Sequence, residues 1–176
     1  MRILQFSRSK SKIKGAFILF LMLFSLLFSS CNGESYDILP FENKDVRAEC
    51  TVNEKFDIVI EKRGSSLSLT VLSPKEISGV SFVFSEEGDK IISGDVSIPT
   101  SRKELYGIYS MASALTLKND AMTSAVSRDG VGEISFDKDG LVYTLLFDAD
   151  GKITDVKITG NSLDYRLAVH SISMSE

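Results

Sequence analysis

The sequence predicts an α+β domain that is mostly antiparallel β-sheet, with one main helix packed on it. Three observations lead to this fold class. Apolar and polar residues alternate with a period of two in several runs between positions 46 and 84, as in strands with one buried face. One later segment carries apolar residues at steps of three and four, and the last third returns to strands around two Asp-x-Asp-Gly turns. The connections are short, and parallel crossovers need a dozen or more residues, so neighbouring strands are expected to be antiparallel.

The first half of the domain contains four predicted strands, followed by one or two more within 90–98. Turn-forming residues separate the runs at 53–55, 63–66, 73–74 and 86–89. The apolar positions of the four strands are Val46, Ala48, Cys50 and Val52; Phe56, Ile58 and Ile60; Leu67, Leu69 and Val71; and Val80, Phe82 and Phe84.

The helix is predicted over about 102–117. Ser101 with Glu104 three residues later forms a capping-box pattern, which is typical of a helix N-terminus. Apolar residues then recur at helical spacing, and this stripe should pack on the sheet. The next residues, 118–123, either extend the helix or form a loop. The stripe consists of Leu105, Ile108, Tyr109, Ala112 and Leu115.

The C-terminal third is predicted to be a four-stranded meander over 133–136, 141–147, 152–158 and 163–172. Two turns of the form Asp-x-Asp-Gly, at 137–140 and 148–151, join its first three strands. Clustered carboxylates also suit calcium, but neither turn supplies the further ligands of an EF-hand loop. Hairpin chemistry explains both turns, and no metal site is expected.

About nine strands are too many for a single helix to cover. The sheet is therefore expected either to curl towards a barrel or to leave an apolar concavity of the kind in which lipophilic ligands bind. The candidate lining residues of such a cavity are Phe56, Phe82, Phe84, Phe136 and Phe147; the alternative is that the phenylalanines fill a closed core.

The first thirty residues have the order of a secretory signal. Five basic residues and no acidic one precede an apolar run over 16–28, which is too short to span a bilayer. Ser29 and Ser30 then precede Cys31, and this junction resembles the bacterial lipoprotein signal, in which the cysteine receives a diacylglycerol before cleavage. The resemblance implies a signal peptide over 1–30, a lipidated tether over 31–40 and a β-rich globular domain over 41–176. The protein is then expected to lie outside the cytoplasm, anchored to a bacterial membrane by the lipid on Cys31.

Charge and cysteine content narrow the expected partners. Removing the basic signal changes the net charge from −4 to −9, which disfavours binding to nucleic acid and to anionic head groups. With Cys31 acylated, Cys50 has no partner within the chain, and a buried, inert thiol is expected there.

No catalytic constellation is evident in the sequence. His170 is the only histidine, and it is expected to be an exposed strand residue. The carboxylates that could pair for acid–base chemistry stand in predicted turns, where solvated charge is the rule. We therefore expect a protein that is not an enzyme and has no cofactor.

The order of elements in the domain resembles a known family. The domain opens with Ile38-Leu39-Pro40-Phe41 and paired strands, continues through Ser73-Pro74 to Gly79-Val80-Ser81-Phe82, and closes with a helix and a meander that contains Asp148-Ala149-Asp150-Gly151-Lys152. This order is similar to the outer-membrane lipoprotein carrier and receptor superfamily, the lipoprotein-localisation factors, including spore-germination-type lipoproteins. The resemblance implies an open, strongly curved β half-barrel capped by helices, whose apolar interior holds acyl chains in the carriers.

Two functions are therefore expected, from different classes. The first is a lipid-anchored extracytoplasmic binding protein that takes an apolar ligand or a lipoprotein acyl chain. The second is a scaffold lipoprotein with a filled core, which binds another protein of the cell envelope through an exposed sheet edge.

Overall fold

One open antiparallel sheet of eleven strands makes up most of the described chain. The computed structural model describes residues 39, 41, 44–128 and 131–175, which belong to one unit, Asp37–Glu176. The predicted signal peptide, Cys31 and nearly all of the predicted tether lie outside the described residues. The strands are β1 (Asp45–Val52), β2 (Phe56–Arg63), β3 (Ser66–Ser73), β4 (Ser81–Phe84), β5 (Asp89–Ser93), β6 (Val96–Thr100), β7 (Met122–Arg128), β8 (Val131–Lys138), β9 (Leu141–Phe147), β10 (Ile153–Gly160) and β11 (Leu163–Ser175).

The sheet consists of two meanders joined at their centre. The strand order is β6-β5-β4-β3-β2-β1-β11-β10-β9-β8-β7, so sequence neighbours pair throughout, and the first and last strands pair with each other. β6 and β7 are the two outer edges, and the helical segment connects them along the chain. The predicted α+β class, mostly antiparallel and open, is confirmed.

The sequence pattern missed one strand of the second meander. β7 (Met122–Arg128) makes that meander five-stranded rather than four-stranded. Because the region predicted to hold one or two strands also forms two, β5 and β6, the sheet has eleven strands rather than about nine. As an edge strand β7 pairs only with β8, and its residues 122–127 are all exposed. An exposed strand needs no apolar alternation, so the sequence carried no period-two signal.

The main helix, α1 (Tyr106–Ala112), continues as a 3-10 turn over Ser113–Thr116. The predicted capping box is present: the Ser101 N–H donates to Glu104 Oε2 at 3.0 Å, and the Glu104 N–H donates to Ser101 Oγ at 3.3 Å. These bonds close a turn, and α1 begins four residues later than predicted. The delay has a backbone cause, because Leu105 has φ −105° and ψ 28°, outside the helical region.

The contacts of α1 show that the sheet is strongly curved. The ring of Tyr109 packs edge-on against Phe84 of β4, with centroids 5.2 Å apart, and Ser113 Oγ lies 2.8 Å from the Tyr143 hydroxyl on β9. Six interstrand steps separate β4 from β9; in a flat sheet they would span ~29 Å. Tyr109 and Ser113, which contact these two strands, are only four residues apart along the helical segment, which corresponds to an advance of ~6 Å. The sheet therefore curls around the helix as an open half-barrel.

The inner face of this half-barrel is a filled core. Buried residues from both meanders converge on α1 and the residues that follow it, including Ala112, Leu115 and Leu117. Leu39 and Phe41, ahead of β1, are also buried, at 1% and 2% exposure. Since this core draws on residues of the unit itself, we expect the chain from Gly33 onward to fold on its own.

An irregularity in β11 keeps its apolar residues on the core side. Cys50 pairs with Val169 and Glu49 with Ser171, so His170 is an extra residue opposite β1. The bulge turns Ile172 and Met174 to the same side as Val169. Without it, serines 171, 173 and 175 would face the core.

A buried hydroxyl network fixes the helix to β9. The Tyr143 hydroxyl lies 2.8 Å from Ser113 Oγ and donates to the Ser110 carbonyl at 3.2 Å, and Ser113 Oγ also bonds that carbonyl at 3.0 Å. Ser110, Ser113 and Tyr143 are each 1% exposed. Burial raises the pKa of the Tyr143 phenol, so this hydroxyl remains a hydrogen-bond donor at neutral pH.

Cys50 is a buried core residue, 3% exposed, on β1. Loss of solvation raises the pKa of its thiol to about 12, with a smaller contribution from the negative charge of Glu49. The thiol is therefore protonated throughout the neutral range. The prediction of a buried thiol is confirmed.

We expect Tyr143→Phe to lower the free energy of unfolding by about 1–2 kcal/mol, because it removes one hydroxyl of a buried network. Tyr106→Phe is the matched control. Its hydroxyl bonds the Asp139 carbonyl and the Asn161 amide at an exposed site, so the expected loss is below about 0.5 kcal/mol. Urea unfolding followed by circular dichroism measures both. Equal losses would show that the buried network does not fix the helix.

The Cys50 thiol predicts a pH dependence of stability. Its pKa is higher in the folded than in the unfolded chain, so its stabilising contribution is complete below pH 9 and is lost as the pH rises towards 12. The free energy of unfolding should fall there by on the order of 1 kcal/mol per pH unit, and Cys50→Ala should lack this component. Urea unfolding between pH 8 and 11 compares the two. A thiol reagent at pH 8 should modify Cys50 only in the unfolded chain.

Candidate functional site

The structure places the five candidate lining phenylalanines in three different environments. Phe84 and Phe136 are core residues, 1% and 0% exposed. Phe82 and Phe147 are half-buried and pack against that core. Phe56 is 39% exposed at the start of β2, although the alternation placed it on the buried face. The five rings therefore do not line one cavity.

The centre of the half-barrel retains only a narrow apolar void of about 20 Å³. Side chains from both meanders and from the 3-10 turn surround it, among them Cys50, Ile60, Ala114, Leu115 and Leu145. This volume is close to that of one water molecule. Helix and core side chains occupy the space in which an acyl chain would lie in an empty half-barrel.

A larger apolar hollow of about 530 Å³ opens at one side of this core. We call it the apolar hollow, and it includes Phe147 of the five predicted phenylalanines. Four of its residues, Phe41, Ile153, Val169 and Ile172, also surround the narrow void, so the two spaces share a wall. The lining residues are Phe41, Phe147, Gly151, Lys152, Ile153, Val169, His170, Ser171, Ile172 and Met174.

A step in the sheet produces the apolar hollow. β10 begins at Ile153 and pairs with β11 from Asp155↔Ala168 to Gly160↔Leu163, whereas β11 continues to Ser175 beside β1. The second half of β11, residues 169–175, therefore has a strand neighbour on one side only. This half carries the bulge at His170, which turns Ile172 and Met174 towards the hollow. Met174 is 45% exposed, and Val169 and Ile172 are half-buried.

Lys152, His170 and Ser171 are polar residues among those that line the hollow, but the His170 ring turns to Thr51, on the face of β1 opposite the buried Cys50 and Val52. His170 is exposed, as predicted, and its Nε2 lies 2.7 Å from Thr51 Oγ1, which donates its proton to Asp57 Oδ1 at 2.7 Å. In this arrangement Thr51 accepts from the imidazole N–H instead of giving its proton to the ring. The geometry is therefore not that of a nucleophile activated by a base.

The two Asp-x-Asp-Gly turns are hairpin turns of different kinds. In the first, Asp139 and Gly140 both have positive φ, 54° and 75°, as a two-residue type I′ turn requires. In the second, Asp148 Oδ1 accepts hydrogen bonds from the backbone N–H groups of Asp150 and Lys152, at 3.0 and 2.9 Å. The hairpin interpretation is confirmed. Within the described part of the chain, no three His, Cys, Asp or Glu side chains cluster as metal ligands would.

One sequence signal could have located the apolar hollow. Alternation in β11 runs Leu167, Val169 and then breaks, because two polar residues, His170 and Ser171, separate Val169 from Ile172. Such a break in a predicted strand is typical of a bulge, and bulges often lie beside functional sites. The start of β10 carries no comparable signal, so the step itself could not be predicted.

Comparison with known proteins gives structural likenesses without a family assignment. No protein-family model matches the chain, and no curated protein matches it in sequence. A solved structure of an uncharacterized conserved protein from Thermus thermophilus is similar, with TM-score 0.44, 11% identity, and coverage of 81% of this chain and 86% of that one. A LolA superfamily protein from Nitrosomonas europaea is similar with TM-score 0.39, 10% identity, and coverage of 81% and 91%. No helix in the described ranges has the length and apolar character needed to cross a membrane.

Proposed function

We propose that this protein is a lipid-anchored extracytoplasmic binding protein that holds an apolar chain in the hollow between β10 and the second half of β11. The observation that carries the proposal is the apolar hollow itself. Its volume of about 530 Å³ falls within the ~300–1,000 Å³ of ordinary small-molecule sites. The signal segment and Cys31 supply the expected anchor and location, and no catalytic role is proposed.

The wall of the hollow suits an alkyl or acyl chain. Phe147, Ile153, Val169, Ile172 and Met174 present partly exposed apolar surface to it. Each methylene that leaves water for such a wall contributes ~0.8 kcal/mol. Eight methylenes thus contribute ~6 kcal/mol before the entropic cost of binding, which corresponds at best to a Kd of roughly tens of micromolar. We therefore infer a single chain of weak to moderate affinity as the ligand, with its polar end at Lys152.

The shared wall between hollow and void gives the site a way to adapt. Ile153, Val169 and Ile172 lie between the two spaces, so rotation of these side chains would connect them. A ligand could then reach Cys50 and Ala114, which line the void, without displacing the helix. The helix is held by its hydrogen bonds to Tyr143, so it limits how far the void can widen.

A protein partner is the second candidate, and a specific feature favours it. Residues 169–175 of β11 leave every second backbone N–H and C=O without a strand neighbour on the β10 side. An extended segment of another envelope protein could pair there, with its side chains in the hollow. Both candidates use the same step in the sheet.

We expect Phe147→Ala to weaken binding of a fluorescent fatty acid by about tenfold, because it removes a ring from the wall of the hollow. Phe56→Ala is the matched control: its ring is exposed outside the lining residues, so affinity should change less than about twofold. Titration of the lipid-free chain from Gly33 onward measures both. Native mass spectrometry of the same material shows any ligand that co-purifies.

A third variant separates loss of the site from loss of the fold. Met174→Gln changes a side chain that is 45% exposed at the rim and should keep the unfolding midpoint while weakening binding. Absence of saturable binding at high micromolar concentration would overturn the apolar-chain proposal and leave the strand-edge candidate. Equal effects of Phe56→Ala and Phe147→Ala would place the ligand elsewhere.

A further inference from the structure

A second hollow, of about 380 Å³, lies where β1 begins and β2 ends, beside the residues that follow the 3-10 turn. Lys44, Lys62 and Lys118 line it, together with Thr116. Thr116 Oγ1 accepts a hydrogen bond from Lys138 Nζ, so a fourth ammonium group adjoins the same place. We call this group of four lysines the lysine hollow.

The lysine hollow is a local concentration of positive charge in an acidic protein. From position 31 onward the chain has nine more acidic than basic residues. Like charges this close repel one another, and burial together with the nearby Lys118 lowers the pKa of Lys138. The repulsion between Lys118 and Lys138 costs free energy, which a bound anion would offset.

Two neighbouring carboxylates, those of Asp45 and Asp139, offset part of this positive charge. Asp45 lines the hollow, and its Oδ1 accepts the Gly64 N–H at 2.8 Å. Asp139 lies near Lys138 and favours its charged form. The five ion pairs between described residues all use arginine, and none involves Lys44, Lys118 or Lys138.

The four lysines differ in how firmly the fold holds them. Lys62 Nζ donates to the Phe41 carbonyl at 2.9 Å, and Lys138 Nζ donates to Thr116, so both stems are fixed beneath the hollow. Lys44 and Lys118 are exposed. Two fixed and two exposed ammonium groups around one recess can close on a multivalent oxyanion from several sides.

We propose that the lysine hollow binds a phosphate group, with Lys44 and Lys118 as its principal contacts. The phosphate can belong to a soluble phosphate ester or to the head group of an anionic lipid, because both present the same oxygens. Lys44 follows Cys31 by thirteen residues, which span at most ~45 Å when extended. A lipid on Cys31 would keep the lysine hollow within reach of head groups. This site is independent of the apolar hollow, and either can exist without the other.

The test compares two double variants of equal net charge. Lys44→Gln with Lys118→Gln removes the principal contacts, and Lys55→Gln with Lys157→Gln removes two exposed lysines elsewhere. The lipid-free chain from Gly33 onward is titrated with inorganic phosphate by isothermal calorimetry. It is also titrated with vesicles of phosphatidylcholine, with and without phosphatidylglycerol, by co-sedimentation.

We expect the first double variant to bind at least about tenfold more weakly and the control to change less than about twofold. Saturable binding of inorganic phosphate with this difference supports a soluble phosphate ligand. Binding only to vesicles that contain phosphatidylglycerol, with the same difference, supports a lipid head group. No binding in either titration, or equal loss in both double variants, overturns the proposal. Circular dichroism melting of each variant excludes unfolding as the cause.

Discussion

The contact between the helical segment and both meanders is the constraint on which the rest of the structure depends. Tyr109 packs on Phe84 of β4, and Ser110 and Ser113 bond Tyr143 of β9. Strands that are six steps apart in the sheet are thereby held against one short helix. The curvature, the filled interior and the small size of the remaining void all follow, because the helix occupies the volume that the curled sheet would otherwise enclose.

The capacity to bind a ligand consequently lies at the side of the half-barrel and not at its centre. Two local irregularities create that capacity: β10 begins only at Ile153, and the bulge at His170 turns Ile172 and Met174 towards the core side. The first leaves part of β11 without a neighbour, and the second supplies it with apolar side chains. A regular sheet would have neither a hollow nor a one-sided strand at this position.

The period-two alternation of apolar residues and the turn-forming residues between the runs predicted most of the strands. The alternation was informative because the alternating apolar positions of β1 and β3 are all buried on one face of the sheet. The capping box and apolar stripe located the helix, although Leu105 delays its start. Burial by tertiary neighbours could not be predicted. Phe56 in β2 and Phe84 in β4 both stand at apolar positions of an alternating strand, yet Phe56 is 39% exposed and Phe84 only 1%. The difference arises because α1 covers the end of β4 and leaves the start of β2 uncovered. The site depends on where strands stop, and that is set by their neighbours.

Phe41 lies between the two proposed sites and relates them physically. Its ring lines the apolar hollow and the narrow void, while its carbonyl accepts the hydrogen bond from Lys62 beneath the lysine hollow. Because both contacts belong to one buried residue ahead of β1, a substitution that moved Phe41 would disturb the wall of the apolar hollow and the bond to Lys62 together. Phe41 is thus a structural link between two sites that can each exist without the other.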